Sequence, residues 1–156
     1  MIKIRIIVVD RTRSSFIREG EIFYLKRLRR YANVEWIEVK PAPMTKGRPP
    51  QELLNIEAQT IARKLLPQET LVVLDRSGQP CSSKGLATRI ENWAFPHARL
   101  AFVIGSPMGV SKEILNNAHS VLSLSKLTLT HEMSRLILLE QLYRAFTIIK
   151  GEKYHK

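Results

Sequence analysis

Three short segments, each directly following an apolar run, hold the residue types a ligand-binding loop needs. They are Leu74-Asp75-Arg76-Ser77-Gly78, Ile104-Gly105-Ser106-Pro107-Met108-Gly109 and Leu124-Ser125-Lys126-Leu127-Thr128-Leu129. Glycine in such a loop lets backbone N–H groups approach a bound molecule closely. In open α/β sheets, ligands sit outside the carboxyl ends of the strands, where these loops fall. Each loop alone is weak, because tight turns also need glycine; taken with the closing Tyr154-His155, the set is specific. Other chemistry is missing. No G-x-G-x-x-G follows the first strand, where Val9-Asp10-Arg11-Thr12 stands, and no G-x-x-x-x-G-K-[ST] occurs. Nucleophile-elbow and zinc-helix patterns are absent too. His97, His119, His131 and His155 lie far apart without ligand spacing, so no metal is expected. The single cysteine, Cys81, excludes an internal disulfide framework and a multi-cysteine zinc site, and reads as a spectator thiol.

The elements that must position these residues alternate between strand and helix. Residues 2–9 are, but for Lys3 and Arg5, β-branched and apolar, a buried strand. Phe16 to Tyr31 reads as a helix, with Phe16, Phe23, Tyr24, Leu28 and Tyr31 near helical spacing and cations outside. Val34–Val39 is a short strand. Lys40–Pro50 has four prolines and one glycine and is a loop. Gln51–Leu66 is helical, Leu71–Leu74 a strand ending in an Asp75–Gly78 turn. Ser82 or Ser83 caps a helix that Pro96 ends, Leu100–Ile104 is a buried strand, and Ser111 caps a short helix. Ser120–Leu129 gives a strand and an irregular segment, and a long helix fills about 133–150. This order predicts an α/β fold, a mostly parallel sheet with helices on both faces. At 156 residues, one domain spanning 1–156 is expected. The last helix is apolar around nearly its whole circumference, so a second face must be covered. A subunit interface, hence a homodimer, is the expectation; a central helix inside one protomer is the alternative.

A hydrophobic fraction of 44% and a charged fraction of 25% argue against disorder. No apolar run reaches the roughly 18 to 20 residues of a membrane span, and no signal peptide is evident, so a soluble cytoplasmic protein is expected. Twenty-five Lys and Arg against fourteen Asp and Glu give a net charge of +11, which favours nucleic acid over a small neutral ligand. Arg11, Arg13, Arg18, Lys26, Arg27, Arg29 and Arg30 face only Glu19 and Glu21 in residues 11–30, while Lys46-Gly47-Arg48 tips the proline-rich loop. The tail adds Lys150, Lys153 and Lys156. Separated clusters suggest a patch assembled by folding, with Arg18, Lys26, Arg27, Arg30, Lys46 and Arg48 as candidate phosphate contacts.

The chain resembles the RlmH family, SPOUT-class methyltransferases acting on N3 of a pseudouridine in large-subunit ribosomal RNA. The resemblance covers essentially the whole length. It is strongest in Leu124–His131, continuing through Arg135 and Glu140–Ala145 to Gly151–Lys156, with Leu71–Asp75, Gly78 and Phe102–Gly105 also matching. It implies a C-terminal trefoil knot, a homodimer, S-adenosylmethionine held by the three loops, and a ribosomal RNA substrate within the ribosome. Cofactor contacts in the family match Leu74, Gly105 and the run Leu124, Ser125, Lys126, Leu127, Thr128, Leu129. Two departures stand out. The family usually has a second glycine where this chain has Ser106, with Met108 replacing a more usual polar residue, and Thr130 replaces a common proline. If residue 106 requires a positive φ, cofactor binding is weakened.

Methyl transfer from a sulfonium is an in-line displacement with a neutral leaving group, so no general acid is needed. The site must hold nitrogen and methyl roughly 3 to 3.5 Å apart and take up or share the weakly acidic N3 proton. His155 and His131 are candidate proton acceptors, Arg144 can stabilise the imide oxygens, and Tyr154 can stack on an extruded base. Tyr154 and His155 reaching a partner subunit's pocket is one arrangement; a frayed terminus is the alternative. A non-catalytic ribosome- or RNA-binding protein with an impaired cofactor loop also fits the charge. An α/β enzyme for a small anionic metabolite fits the loops but not the tail.

Overall fold

The computed structural model describes residues 1–155; Lys156, counted above among the tail cations, lies outside the described residues. Strands β1 (Ile2–Val9), β2 (Ala32–Val39), β3 (Thr70–Gln79), β4 (Arg99–Ile104) and β5 (Ser120–Leu122) form one parallel sheet in the order β2-β1-β4-β3-β5. Helices α1 (Ser15–Leu28), α2 (Pro50–Ala62), α3 (Ser83–Ala94), α4 (Lys112–Asn117) and α5 (His131–Ile149) cover both faces. Alternate residues of β1 show why. Ile4, Ile6 and Val8 enter the core that includes Leu28, Leu86, Ile90, Leu138, Leu142 and Phe146 from α1, α3 and α5. Ile7 and Val9 enter the other, with Ala58 and Ile61 of α2 and Ile114 of α4. The second half of β1, Ile6–Val9, is buried on both faces and so reads as a continuous apolar run, whereas Lys3 and Arg5 alternate with Ile2, Ile4 and Ile6.

The last helix lies between α1 and α3 over the sheet. Gly20 of α1 lets Leu136 approach so closely that a Cβ there would meet its Cδ1 at 2.6 Å. On the other flank Ser83 Oγ donates to Gln141 Oε1 at 2.7 Å. Neighbours within one protomer thus cover much of the apolar circumference that pointed to a partner.

Several boundaries differ from expectation. The strand expected to stop at Leu74 continues to Gln79. Leu74 and Gln79 both pair with Leu122, so Asp75–Gly78 bulge out of the ladder instead of turning the chain. Gly78 permits this, because a Cβ would lie 2.5 Å from the Val121 carbonyl oxygen. α2 ends at Ala62 and not Leu66; beyond it, Lys64 O accepts from the Arg5 guanidinium and Leu66 N–H donates to Glu69. α5 begins two residues earlier than expected because Thr130 Oγ1 accepts the Met133 N–H at 3.1 Å, so the residue replacing proline is a working N-cap. On α1 the apolar spacing misleads. Phe16 and Phe23 are 64% and 48% exposed, whereas Ile17, Glu21 and Leu28 are buried.

Candidate active site

The three loops, the first two of which carry glycine, converge at the carboxyl ends of β3, β4 and β5 around a cavity of about 430 Å³. That volume is within the range of small-molecule cofactor sites, roughly 300 to 1,000 Å³. Of the candidate cofactor contacts, Leu74, Gly105, Leu124, Ser125, Leu127, Thr128 and Leu129 line it; Lys126 does not. The wall also uses Asp75, Arg76, Ser106, Met108, Leu122 and Ser134, which had not been singled out as contacts. For Asp75, Arg76, Ser106 and Met108 the available signal is their place in the same loops; Leu122 in β5 and Ser134 in α5 carry no such signal.

The second loop is tight. A Cβ on Gly105 would meet the Gly109 carbonyl oxygen at 2.2 Å, and Gly109 itself takes φ +89. Ser106 O accepts the Gly109 N–H at 2.8 Å, and Ser106 Oγ faces the Met108 N–H at 3.4 Å. Among the described residues, positive φ outside glycine occurs only at Asp10, Gln68 and Ala98. Ser106 therefore does not take the positive φ on which weakened cofactor binding was conditional; Gly109 takes the left-handed conformation instead. In the first loop, Asp75 Oδ2 accepts from both the N–H (3.0 Å) and the hydroxyl of Ser77, so its carboxylate shapes the bulge. In the third, Ser125 Oγ accepts the Leu127 N–H at 2.9 Å, and Ser123 Oγ donates to Ser125 O at 3.1 Å. Apolar walls from Leu74, Leu122, Leu124 and Leu129, with backbone polar groups held by these bonds, fit an amphipathic cofactor of the kind expected.

The four candidate catalytic residues do not come together. His131 lines the cavity at the start of α5. Burial, followed by the Arg135 charge, lowers its pKa below 6.5, so its imidazole is neutral near pH 7. Arg144, Tyr154 and His155 cluster at the far end of the same helix, about 20 Å away at 1.5 Å per residue. There Arg144 makes an ion pair with Glu140 at 2.6 Å, which raises its pKa. Its guanidinium lies 4.8 Å from the Tyr154 ring centroid and 3.4 Å from His155 Nδ1. An arginine only donates, so a hydrogen bond in this contact requires the lone pair of His155 Nδ1. Tyr154 packs edge-on against Tyr143 at 4.8 Å and its hydroxyl donates to Glu140 at 3.3 Å. Burial, with hydrogen bonding to Tyr24, pushes its pKa up to about 12. The tail is docked, not frayed.

The basic residues also divide. Arg18 is exposed on the first turn of α1, at the cavity rim of the sheet, whereas Lys26, Arg27 and Arg30 stand at the opposite end beside the tail cluster. Arg27 lies over the Phe23 ring at 4.3 Å, and Arg30 pairs with Glu152 at 3.1 Å. Lys46 is exposed in the loop after β2, and Arg48 pairs with Glu52 at 3.3 Å. One continuous patch within a protomer is thus not what folding assembles. Among the described residues no cluster of three His, Cys, Asp or Glu side chains is placed to hold a metal, and no helix is long and apolar enough to cross a membrane.

With this geometry in hand, comparison with known proteins is decisive. A family model described as "Predicted SPOUT methyltransferase" matches residues 2–155. The chain belongs to the SPOUT methyltransferase family. Among its SPOUT relatives, "Ribosomal RNA large subunit methyltransferase H" of Syntrophomonas wolfei subsp. wolfei is 45% identical over 158 residues, covering 99% of each chain. The protein of that name from Thermotoga neapolitana is 42% identical, covering 98% of this chain and 99% of the relative. The SPOUT chain also superposes on a solved structure, a probable methylase family protein from Haemophilus influenzae. That match has a TM-score of 0.56 at 16% identity and covers 98% of this chain and 70% of the other. A probable methyltransferase from Bordetella pertussis gives the same TM-score at 13% identity, covering 92% and 95%. These structural likenesses speak for the fold alone.

Proposed function

We propose that this SPOUT protein transfers the methyl group of S-adenosylmethionine to N3 of a pseudouridine in large-subunit ribosomal RNA. In this reading it works in the cytoplasm, on assembled ribosomes, as a homodimer. The observation that carries it is the loop-walled cavity at the carboxyl ends of β3, β4 and β5, in a chain whose relatives at 42–45% identity carry the ribosomal RNA methyltransferase name.

When bound, S-adenosylmethionine supplies an electrophilic methyl on a sulfonium. Leu74, the Gly105 loop and the Leu124–Leu129 segment would hold it, the apolar side chains shielding the site from water. The C-terminal trefoil knot belongs to this reading, with the segment after β5 as its threaded part. A homodimer explains why Arg144, Tyr154 and His155 form an ordered cluster far from their own cavity: a second copy would bring that cluster to the first copy's rim. The exposed Phe16, Ile22 and Phe23 of α1, beside α5, are an apolar surface such an interface would cover. Across it, Lys26, Arg27 and Arg30 would join the RNA-facing side. Neutral His131 is the proton acceptor on the cavity side. His155, with its proton on Nε2, offers a donor to an imide oxygen while Arg144 stabilises the other, and Tyr154 stacks on the base.

The test is transfer of an isotope-labelled methyl to unmodified ribosomes, with the product located by mass spectrometry of the digested RNA. Label on N3 of a pseudouridine is the expected outcome. Cofactor binding without label in RNA would overturn the reading.

A further inference from the structure

Residues 10–14 join β1 to α1 at the cavity rim, and β1 is the neighbour of β4 in the sheet, so this loop lies next to the Gly105 loop. It is held from below by the first turn of α5, the turn that carries His131. Glu132 Oε1 accepts the N–H groups of Arg13 and Ser14, the second at 3.2 Å, while the Ser14 side chain makes no cap of its own. Burial opposes ionisation of Glu132, but these N–H groups and nearby cations keep its pKa low. Arg135, with 0% exposure, donates to Thr12 Oγ1 at 2.9 Å and to the Val9 carbonyl. Thr12 in turn donates to Glu21 at 2.6 Å, so one hydroxyl bridges a buried guanidinium and a buried carboxyl. Asp10 takes φ 69 and is locked by its N–H on Val39 O, its Oδ1 on the Arg11 N–H and its Oδ2 on the Arg13 guanidinium.

As a stabilising device this is a poor one. The Arg135 guanidinium is removed from water and its Nε has no partner, and apolar side chains usually serve a core better than buried ion pairs. What the network does achieve is geometric: a five-residue loop is fixed to the helix turn beside the cavity, with Arg11 and Arg13 exposed on it. Arg11 has no carboxylate partner among the described residues. Asp10 and Glu132, the acids facing the loop, are committed to its N–H groups and to Arg13. Guanidinium forks match phosphate oxygens well.

We propose that Arg11 and Arg13 bind RNA phosphates flanking the target nucleotide, and that Arg135 is the positioning residue that sets them at the cavity mouth. The inference rests on the methyl-transfer reading above. The experiment measures KM for unmodified ribosomes and its salt dependence, cofactor affinity by calorimetry, and ribosome binding by sedimentation. Arg11→Ala combined with Arg13→Ala should raise KM about tenfold and reduce the log–log salt slope by about 1 to 2, with cofactor affinity retained. Thr12→Val, which keeps both arginines and is milder than Arg135→Met, should raise KM in the same direction while the protein stays folded and binds cofactor. Unchanged KM and salt slope in the double variant would overturn the phosphate contact. An altered double variant beside an unaltered Thr12→Val would overturn the positioning role. Wild-type protein that moves no methyl defeats the functional reading instead; sedimentation then still decides whether the two arginines bind ribosomes.

Discussion

The two ends of α5 are built for different work. At its start, Thr130 caps the helix, His131 faces the cavity, and Glu132 and Arg135 reach under the loop after β1. Glu132 and Arg135 are thereby committed to their own protomer. At its end, Glu140 and Arg144 gather Tyr154 and His155 into a partly exposed cluster beside Tyr143 and Arg27, and none of these residues lines the cavity at the other end. One end has a pocket and a single imidazole; the other has the donors and the aromatic ring, away from that pocket. The helix is too stiff and too long to join them; in the proposed dimer the chemistry is completed where the end of one α5 meets the start of another.

Breaking the pocket end should have the largest effect. Gly105→Val places atoms inside the Gly109 carbonyl, and calorimetry should find cofactor affinity reduced by about 100-fold or more, roughly 3 kcal/mol. At the other end, His155→Ala should leave cofactor affinity intact and reduce transfer by about 100-fold, the scale of a lost positioned proton-handling group. Unchanged transfer would remove His155 from the mechanism. Arg144→Lys keeps the charge but loses the planar fork that holds Glu140 and His155 together, and should reduce transfer by about tenfold without altering cofactor binding.

The comparison sharpens with pH. Burial and Arg135 depress the His131 pKa, so the rate attributed to its neutral form should fall only below pH 6.5, as the imidazole gains its proton. The same shift works on stability: the neutral form favours the fold above pH 6.5, and that contribution is lost as pH drops through the depressed value. His131→Gln should abolish this acid limb in a pH–rate profile. The smallest effect belongs to the cap. Thr130→Ala should cost about 1 kcal/mol in chemical denaturation while leaving the tail cluster's role untouched.

How much of this was legible in the sequence depended on whether the controlling contacts were local. The apolar second half of β1, the Ser82 and Ser111 caps and the Pro96 stop are set by neighbours in sequence, and the strand–helix alternation they punctuate leads to the parallel sheet. The cavity loops were readable because glycine and strand ends mark them. Asp75–Gly78 reads as a turn, yet its course is set by β5 passing within reach of Gly78. α1 shows the same limit. Glu21 is buried and Phe16 exposed because a hydroxyl on one loop and a guanidinium on α5, 123 residues from that hydroxyl, reserve the inner position for a carboxyl. No periodicity in residues 15–28 carries that information. The division of the four candidate catalytic residues was likewise hidden, since sequence lists His131 and His155 together while the helix between them keeps them apart.

The most direct test is complementation between damaged ends. His155→Ala and Gly105→Val chains, each inactive alone, would be unfolded together, refolded as a mixture and assayed for methyl transfer to unmodified ribosomes. If a site takes its pocket from one copy and its tail from another, random pairing restores about a quarter of the wild-type activity. A mixture no more active than its separate parts, beside a refolded wild-type control of full activity, would contradict the shared site.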